Sequence, residues 1–167
     1  MNDGLIDAFH HNAWATRQLL TYCRDLTPAQ LEASAAGVFG SPIATFWHIV
    51  GAEASYCSRL SGQRPDWDWR TDEPPSLDVI AARAEEMAGR WEAFLAEPFD
   101  AERLLRYQWE DETPMDVPAG VVLAQALHHG NEHRTQIYTV LTELGLKPPE
   151  HGVWEFAVET GRARPAS

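Results

Sequence analysis

Apolar residues recur at helical spacing in four long stretches of the chain. From about Leu5 to Arg24, Leu5, Phe9, Thr16, Leu19, Leu20 and Cys23 share one side of a helix turning about 100° per residue, with Asn12 in the middle of that side. A second stripe is Ile43, Phe46, Trp47, Val50, Ala54 and Cys57. It starts at the cap Ser41-Pro42, runs to Leu60 and stops near Gly62. A third, the cleanest, is Leu77, Ile80, Ala81, Ala84, Met87, Ala88, Trp91 and Leu95, with Ser76 as the expected N-cap and Pro98 as the stop. The fourth runs from about Pro118 to Leu144 and buries Val122, Ala126, Ile137, Val140 and Leu144, closed by Gly145 and Pro148-Pro149.

The connections read differently. Thr27-Pro28 starts a short turn, Ala35 to Gly40 is a loop of small residues, and Gln63 to Pro75 has neither helical nor strand period. Residues Leu104 to Trp109 and Pro114 to Val117 alternate around the acidic turn Glu110-Asp111-Glu112, which predicts a short β-hairpin before the last long helix. The tail Val153 to Thr160 predicts one or two further helical turns that pack Trp154 and Phe156. Each long stripe is apolar on one side only and must bury that side against the others, so the expected fold is all-α, a four-helix bundle in one domain, 1–167.

Composition narrows the function. Thirteen Lys plus Arg stand against 25 Asp plus Glu, a net charge of −12, which argues against nucleic-acid or anionic-membrane partners. No apolar run is long enough for a membrane span, and MNDGLIDAF lacks the character of a secretory signal. Only Cys23 and Cys57 are present, without metal-binding spacing; reduced core thiols in a cytoplasmic protein are the expectation.

Seven histidines demand a reason. His129 and His133, in His128-His129-Gly130-Asn131-Glu132-His133-Arg134-Thr135-Gln136, are four apart and stack on one face of the fourth helix. His133 lies inside the buried stripe, His129 at its edge, and His128 points nearly opposite. Two buried rings one turn apart are either bonded separately to neighbours or satisfied together by a divalent metal. A catalytic metal commonly takes about three protein ligands and keeps a position open. His10 and His11 lie off the first stripe and read as surface, and His151 follows two prolines in a loop. His48 shares a helix side with Thr45, Ala52, Ser55 and Arg59, and spacing alone leaves open whether it joins the pair. No Glu-x-x-His occurs, against a di-iron centre, and the Glu beside His133 does not fit a zincin motif.

His129-x-x-x-His133-Arg134-Thr135-Gln136-Ile137 resembles the H-x-x-x-H-R-G-Q-I signature of the DinB-like (DinB/YfiT) family, with Thr135 in place of the usual Gly. Trp47-His48-Ile49-Val50-x-Ala52-Glu53 resembles the family's first histidine segment, and Asn12-Ala13-Trp14-Ala15 the stretch in its first helix; the similarity covers nearly the whole chain. The resemblance implies a bundle with an unusual helix order and one divalent metal (Zn, Ni or similar) held by His48, His129 and His133. It also implies proteins that do not bind DNA, that are often homodimers, and that include S-transferases and isomerases using a low-molecular-weight thiol.

The expected function is therefore a metal-dependent transferase joining such a thiol to an electrophilic small molecule. A metal-dependent hydrolase and a non-catalytic metal- or ligand-binding stress-response bundle are the alternatives. Asn12, Arg134 and Gln136 are candidates to orient the small molecule, and Glu53 to support the histidine N–H groups; Glu132 is a second candidate for that support but reads rather as solvated surface. The two tryptophans beside the site, Trp14 and Trp47, read as core packing.

Overall fold

The computed structural model describes residues 3–108 and 113–165. Its long helices are α1 (Asp3–Cys23), α3 (Pro42–Ser61), α4 (Leu77–Ala96) and α5 (Ala119–Glu143). Two short helices, α2 (Pro28–Leu31) and α6 (Val153–Glu159), and two strands, β1 (Leu104–Tyr107) and β2 (Met115–Pro118), complete the order. The strands pair antiparallel, Leu104 opposite Pro118 and Tyr107 opposite Met115. The hairpin is thus present, and its expected acidic turn lies outside the described residues.

Local chemistry sets most boundaries. Thr27 caps α2 in a capping box with Gln30, satisfying two N–H groups reciprocally. The Ser41 hydroxyl accepts from the Ala44 N–H, and Gly62 ends α3 in the left-handed region at φ 76°. Ser76 occupies the N-cap of α4, but its hydroxyl makes no capping bond; only its carbonyl enters the helix, accepting from the Ile80 N–H at 3.0 Å.

The long helices form a closed ring. The principal packings are α3 on α5, α5 on α1, α1 on α4, and α4 on α3. The first two long helices in the chain, α1 and α3, therefore sit diagonally across the bundle. Phe46, Ile49, Val50, Ile80, Met87, Ile137 and Leu141 fill the space between them, fully buried. Each such side chain contributes about 1.5–3 kcal/mol relative to exposure.

Three expectations for individual residues fail for geometric reasons. Leu144 is exposed, because it is the C-cap of α5, where the chain turns away; Leu123 and Leu141 take the buried positions. Trp154 is 80% exposed while Phe156 is buried. Two residues on a helix are about 200° apart, and α6 presents only one side to α1. His11 is half-buried, because segment 148–152 folds over it and its Nε2 meets the His151 carbonyl at 2.9 Å.

One close approach fixes α1 against α5. A Cβ added to Gly130 would lie 2.6 Å from the Asn12 Oδ1 and 3.0 Å from the Arg134 Nη1. Both of those atoms are buried and mutually bonded at 2.8 Å, so neither yields freely. Gly130→Ala is expected to destabilise the protein by about 1–3 kcal/mol through overpacking, despite the better helix propensity of Ala. Urea or thermal denaturation checks this; an unchanged or raised stability would show that the helices do not meet so closely.

Candidate metal centre

His48 on α3 and His129 and His133 on α5 converge where these two helices pack. Each offers one ring nitrogen, and the three nitrogens lie within 4.8 Å of one another. The Nε2 atoms of His48 and His129 face each other at 3.0 Å. Ring centroids are 4.8 Å apart for His48–His129, 4.6 Å for His48–His133 and 4.4 Å for His129–His133. Two ligand nitrogens at tetrahedral angles around Zn²⁺, each at about 2.0–2.1 Å, stand about 3.4 Å apart. The cluster is already close to that spacing, and its all-imidazole donor set suits Zn²⁺, Ni²⁺ and related ions. His128 points outward with Glu132, 3.6 Å from its carboxylate, and takes no part.

Electrostatics keep the rings available. Burial lowers the pKa of His48, with the neighbouring His133 adding to the effect. Burial, then His133, His48 and His128, bring His129 down to about 4. At neutral pH both rings are uncharged, the form in which an imidazole ligates a metal.

The third ring is oriented by Gln136. Its Oε1 lies 2.9 Å from the His133 Nδ1 and accepts the Phe39 backbone N–H at 3.1 Å. With the Phe39 N–H aimed at it, that atom is the amide oxygen. Nδ1 of His133 is therefore the donor in this contact, which orients the ring. Phe39 also stacks on His48 at 4.1 Å and meets His133 edge-on at 5.2 Å. It is 52% exposed, a ring held over the cluster from the loop between α2 and α3. Phe39 was not among the expected site residues; the one hint is a lone aromatic in an otherwise small-residue loop.

A groove of about 400 Å³ opens beside His48, lined by Phe39, Trp47, Trp69, Arg70 and Asp72 among others. The segment between α3 and α4 forms its far wall. The Trp47 indole donates to the Thr71 carbonyl, and the Trp69 backbone packs so closely on Gly51 that a Cβ there would lie 3.2 Å from its carbonyl oxygen. Trp14 and Trp47 are largely buried, as expected, although the Trp47 ring also borders the groove.

The remaining candidates lie elsewhere. Asn12 and Arg134 are not beside the histidines but form a buried relay. Arg134 Nη1 donates to the Asn12 Oδ1 at 2.8 Å and the Thr16 hydroxyl at 3.0 Å, and Asn12 Nδ2 donates to the Glu53 Oε1 at 2.8 Å. Glu53 thus meets Asn12 rather than a histidine. Thr135, which replaces the family's usual Gly, is exposed and donates to the Asn131 carbonyl at 2.9 Å, away from the rings.

The structure is a ring-ordered four-helix bundle in which three imidazoles, compatible with a divalent metal ion, converge beside an open groove. The chain belongs to the DinB family, whose model matches residues 1–160. It is 22% identical to Protein DinB of Bacillus subtilis (strain 168), covering 98% of this chain and all of that protein. A DinB-like protein from Bacillus cereus ATCC 10987 superposes with a TM-score of 0.69 at 20% identity, over 89% of this chain and 96% of the other. YfiT from Bacillus subtilis, described as a probable metal-dependent hydrolase with an unusual four-helix bundle topology, gives 0.64 at 15% identity over 88% and 91%. Both solved structures share the helical fold.

Glu53 supplies a measurable consequence. Burial raises its pKa above the ordinary 4.5, and the Asn12 hydrogen bond and the Arg134 charge offset this only in part. The Trp91 indole also faces this carboxyl, outside hydrogen-bond geometry. Between the unfolded and folded pKa values, the native protein holds a proton that the unfolded chain has released. Stability therefore falls as pH rises through that window, by about 1.4 kcal/mol per pH unit, and levels off above the folded pKa. Glu53→Gln keeps the acceptor oxygen and loses the slope. Urea denaturation from pH 4.5 upward is expected to show the variant gaining on the wild type as pH rises; a constant difference would mean that Glu53 titrates normally in the fold.

Proposed function

We propose that this chain is a metal-dependent enzyme that holds one divalent ion on His48, His129 and His133 and transfers a low-molecular-weight thiol to an electrophilic small molecule. The observation that supports it most is the trio of ring nitrogens within 4.8 Å of one another, bordered by a groove of substrate size. A divalent ion bound there supplies a Lewis acid that lowers the pKa of a thiol or water ligand.

The chain's own residues limit what the nucleophile can be. Cys23 and Cys57 are buried, and burial raises their thiols to about 12 and about 11, so neither is a thiolate at neutral pH. The attacking group comes from outside, as a thiol or as water. Gln136 holds the His133 proton on Nδ1, Phe39 shields the rings from bulk water, and Trp47, Trp69 and Arg70 give the groove apolar faces and one cation for an organic substrate. Two free cysteines suit a cytoplasmic setting, and a homodimer belongs to the same reading. Among the described residues, no helix is long and apolar enough to cross a membrane.

The second reading is a metal-dependent hydrolase, favoured by the description of the YfiT neighbour and by Asp72, a carboxylate that lines the groove beside His48. Turnover of a conjugated electrophile with and without added thiol separates the two: thiol-dependent loss of substrate supports transfer, and thiol-independent cleavage supports hydrolysis.

The metal site itself is tested by elemental analysis of purified variants. His48→Ala, His129→Ala and His133→Ala are expected to lose the ion and His128→Ala to keep it; equal metal content in all four would remove the site. Gln136→Leu is expected to weaken metal binding by about 10–100-fold, because the His133 ring loses the oxygen that orients it. Competition with a chromogenic chelator measures this, and an unchanged affinity would reduce Gln136 to a loop anchor.

A further inference from the structure

Segment 35–40, between α2 and α3, has little of its own to hold it. Among the described residues it makes one hydrogen bond, from the Phe39 N–H to the Gln136 Oε1 at 3.1 Å. Gly37 stands in the left-handed region at φ 80°, and a Cβ added there would meet nothing within 4 Å. A segment with so few tethers opens easily unless something else fastens it.

Phe39 is nevertheless closely placed. Its ring lies on the His48 ring, with centroids 4.1 Å apart and planes 17° from parallel. It meets the His133 ring edge-on, at 5.2 Å and 79°. Its backbone N–H reaches the same Gln136 oxygen that meets the His133 Nδ1. One residue thus bears on candidate ligands from two helices. The side chain covers His48 of α3, and the backbone acts through Gln136 on His133 of α5.

An ion held by several imidazoles leaves one ligand at a time. The helices that carry these rings are packed on each other, so a ring departs by turning about its own side-chain bonds. For His48, that turn gives up the stacking on Phe39. A cation on an imidazole also draws electron density from the ring, which favours its contact with an electron-rich benzene face. The Phe39 contact is therefore strongest in the loaded state, and preorganising the rings for the ion is what it supplies.

We propose that Phe39 is a positioning residue that clamps His48 and His133 and sets the rate at which the ion leaves the centre. The inference rests on the metal site proposed above and adds to it a kinetic control, exerted by a side chain that offers no ligand atom.

The test loads the full-length protein with one equivalent of Zn²⁺ and follows its release to an excess of chromogenic chelator by stopped flow, where the rate no longer depends on chelator concentration. Phe39→Ala removes the ring, keeps the backbone N–H, and is expected to release zinc about tenfold faster than the wild type. Phe39→Tyr keeps a ring to stack and is expected to release it at the wild-type rate. Phe39 is half-exposed, so neither change opens the core, and the metal-free melting temperatures are expected to match. Release from Phe39→Ala at the wild-type rate, or from Phe39→Tyr as fast as from Phe39→Ala, would overturn the clamp. Fast release together with a lowered metal-free melting temperature would also overturn it, because the fold and not the ring contact would then be at fault. A wild type that takes up no zinc sinks the metal site and the clamp together, whereas one that binds zinc and releases it no more slowly than Phe39→Ala sinks the clamp alone.

Discussion

The fold turns on one buried guanidinium. Arg134 sits in the bundle interior, where an unsatisfied charge costs several kcal/mol, and its acceptors come from another helix. Asn12 on α1 is the hinge of that arrangement: its carbonyl oxygen takes the Arg134 proton, and its amide reaches across the bundle diagonal to Glu53 on α3. Helices that make no principal packing with each other, α1 and α3, are thereby tied through the core. Rotating α5 by one residue, about 100°, would pull the guanidinium from both acceptors. The relay therefore fixes the rotational phase of α5, which apolar packing alone, tolerant of shape-preserving swaps, specifies less tightly.

That phase places the histidines. His129 and His133 lie on the same turns as Gly130 and Arg134, so locking Arg134 toward α1 leaves the rings facing α3 and His48. Gly130 permits the approach on one side of the helix while the imidazoles occupy the other. Burial then does chemical work as well as structural work, holding His129 and His48 neutral so that three rings can share a small volume without charge repulsion.

The sequence revealed elements whose signal is local. Stripes, caps and the glycine stops place four long helices to within a residue or two, and a spacing of four puts His129 and His133 on one face. His48 was different. Its neighbours on the helix side, Thr45 and Ala52, are small, and α3 is contacted by α4 and α5 at once, so a single-stripe reading could not show which partner it faces; the family resemblance supplied it. Asn12 and Arg134 were visible as polar residues on or beside apolar stripes, but that they bond to each other depends on two helices more than 100 positions apart in sequence. Phe39, His11 and Trp154 were misjudged or missed because their environments are made by loop and tail segments whose path has no period to read.

The two faces of α5 carry opposite electrostatic problems, and each is solved from outside its own helix. On the α3 side, three imidazoles converge, an arrangement compatible with a shared cation. On the α1 side, one buried guanidinium is held by the side-chain carbonyl oxygen of Asn12 and the Thr16 hydroxyl. The groove beside the histidines is not lined by Asn12 or Arg134. The relay on one face of α5 fixes the helix's phase, and that phase is what turns the imidazoles on the adjoining face toward α3.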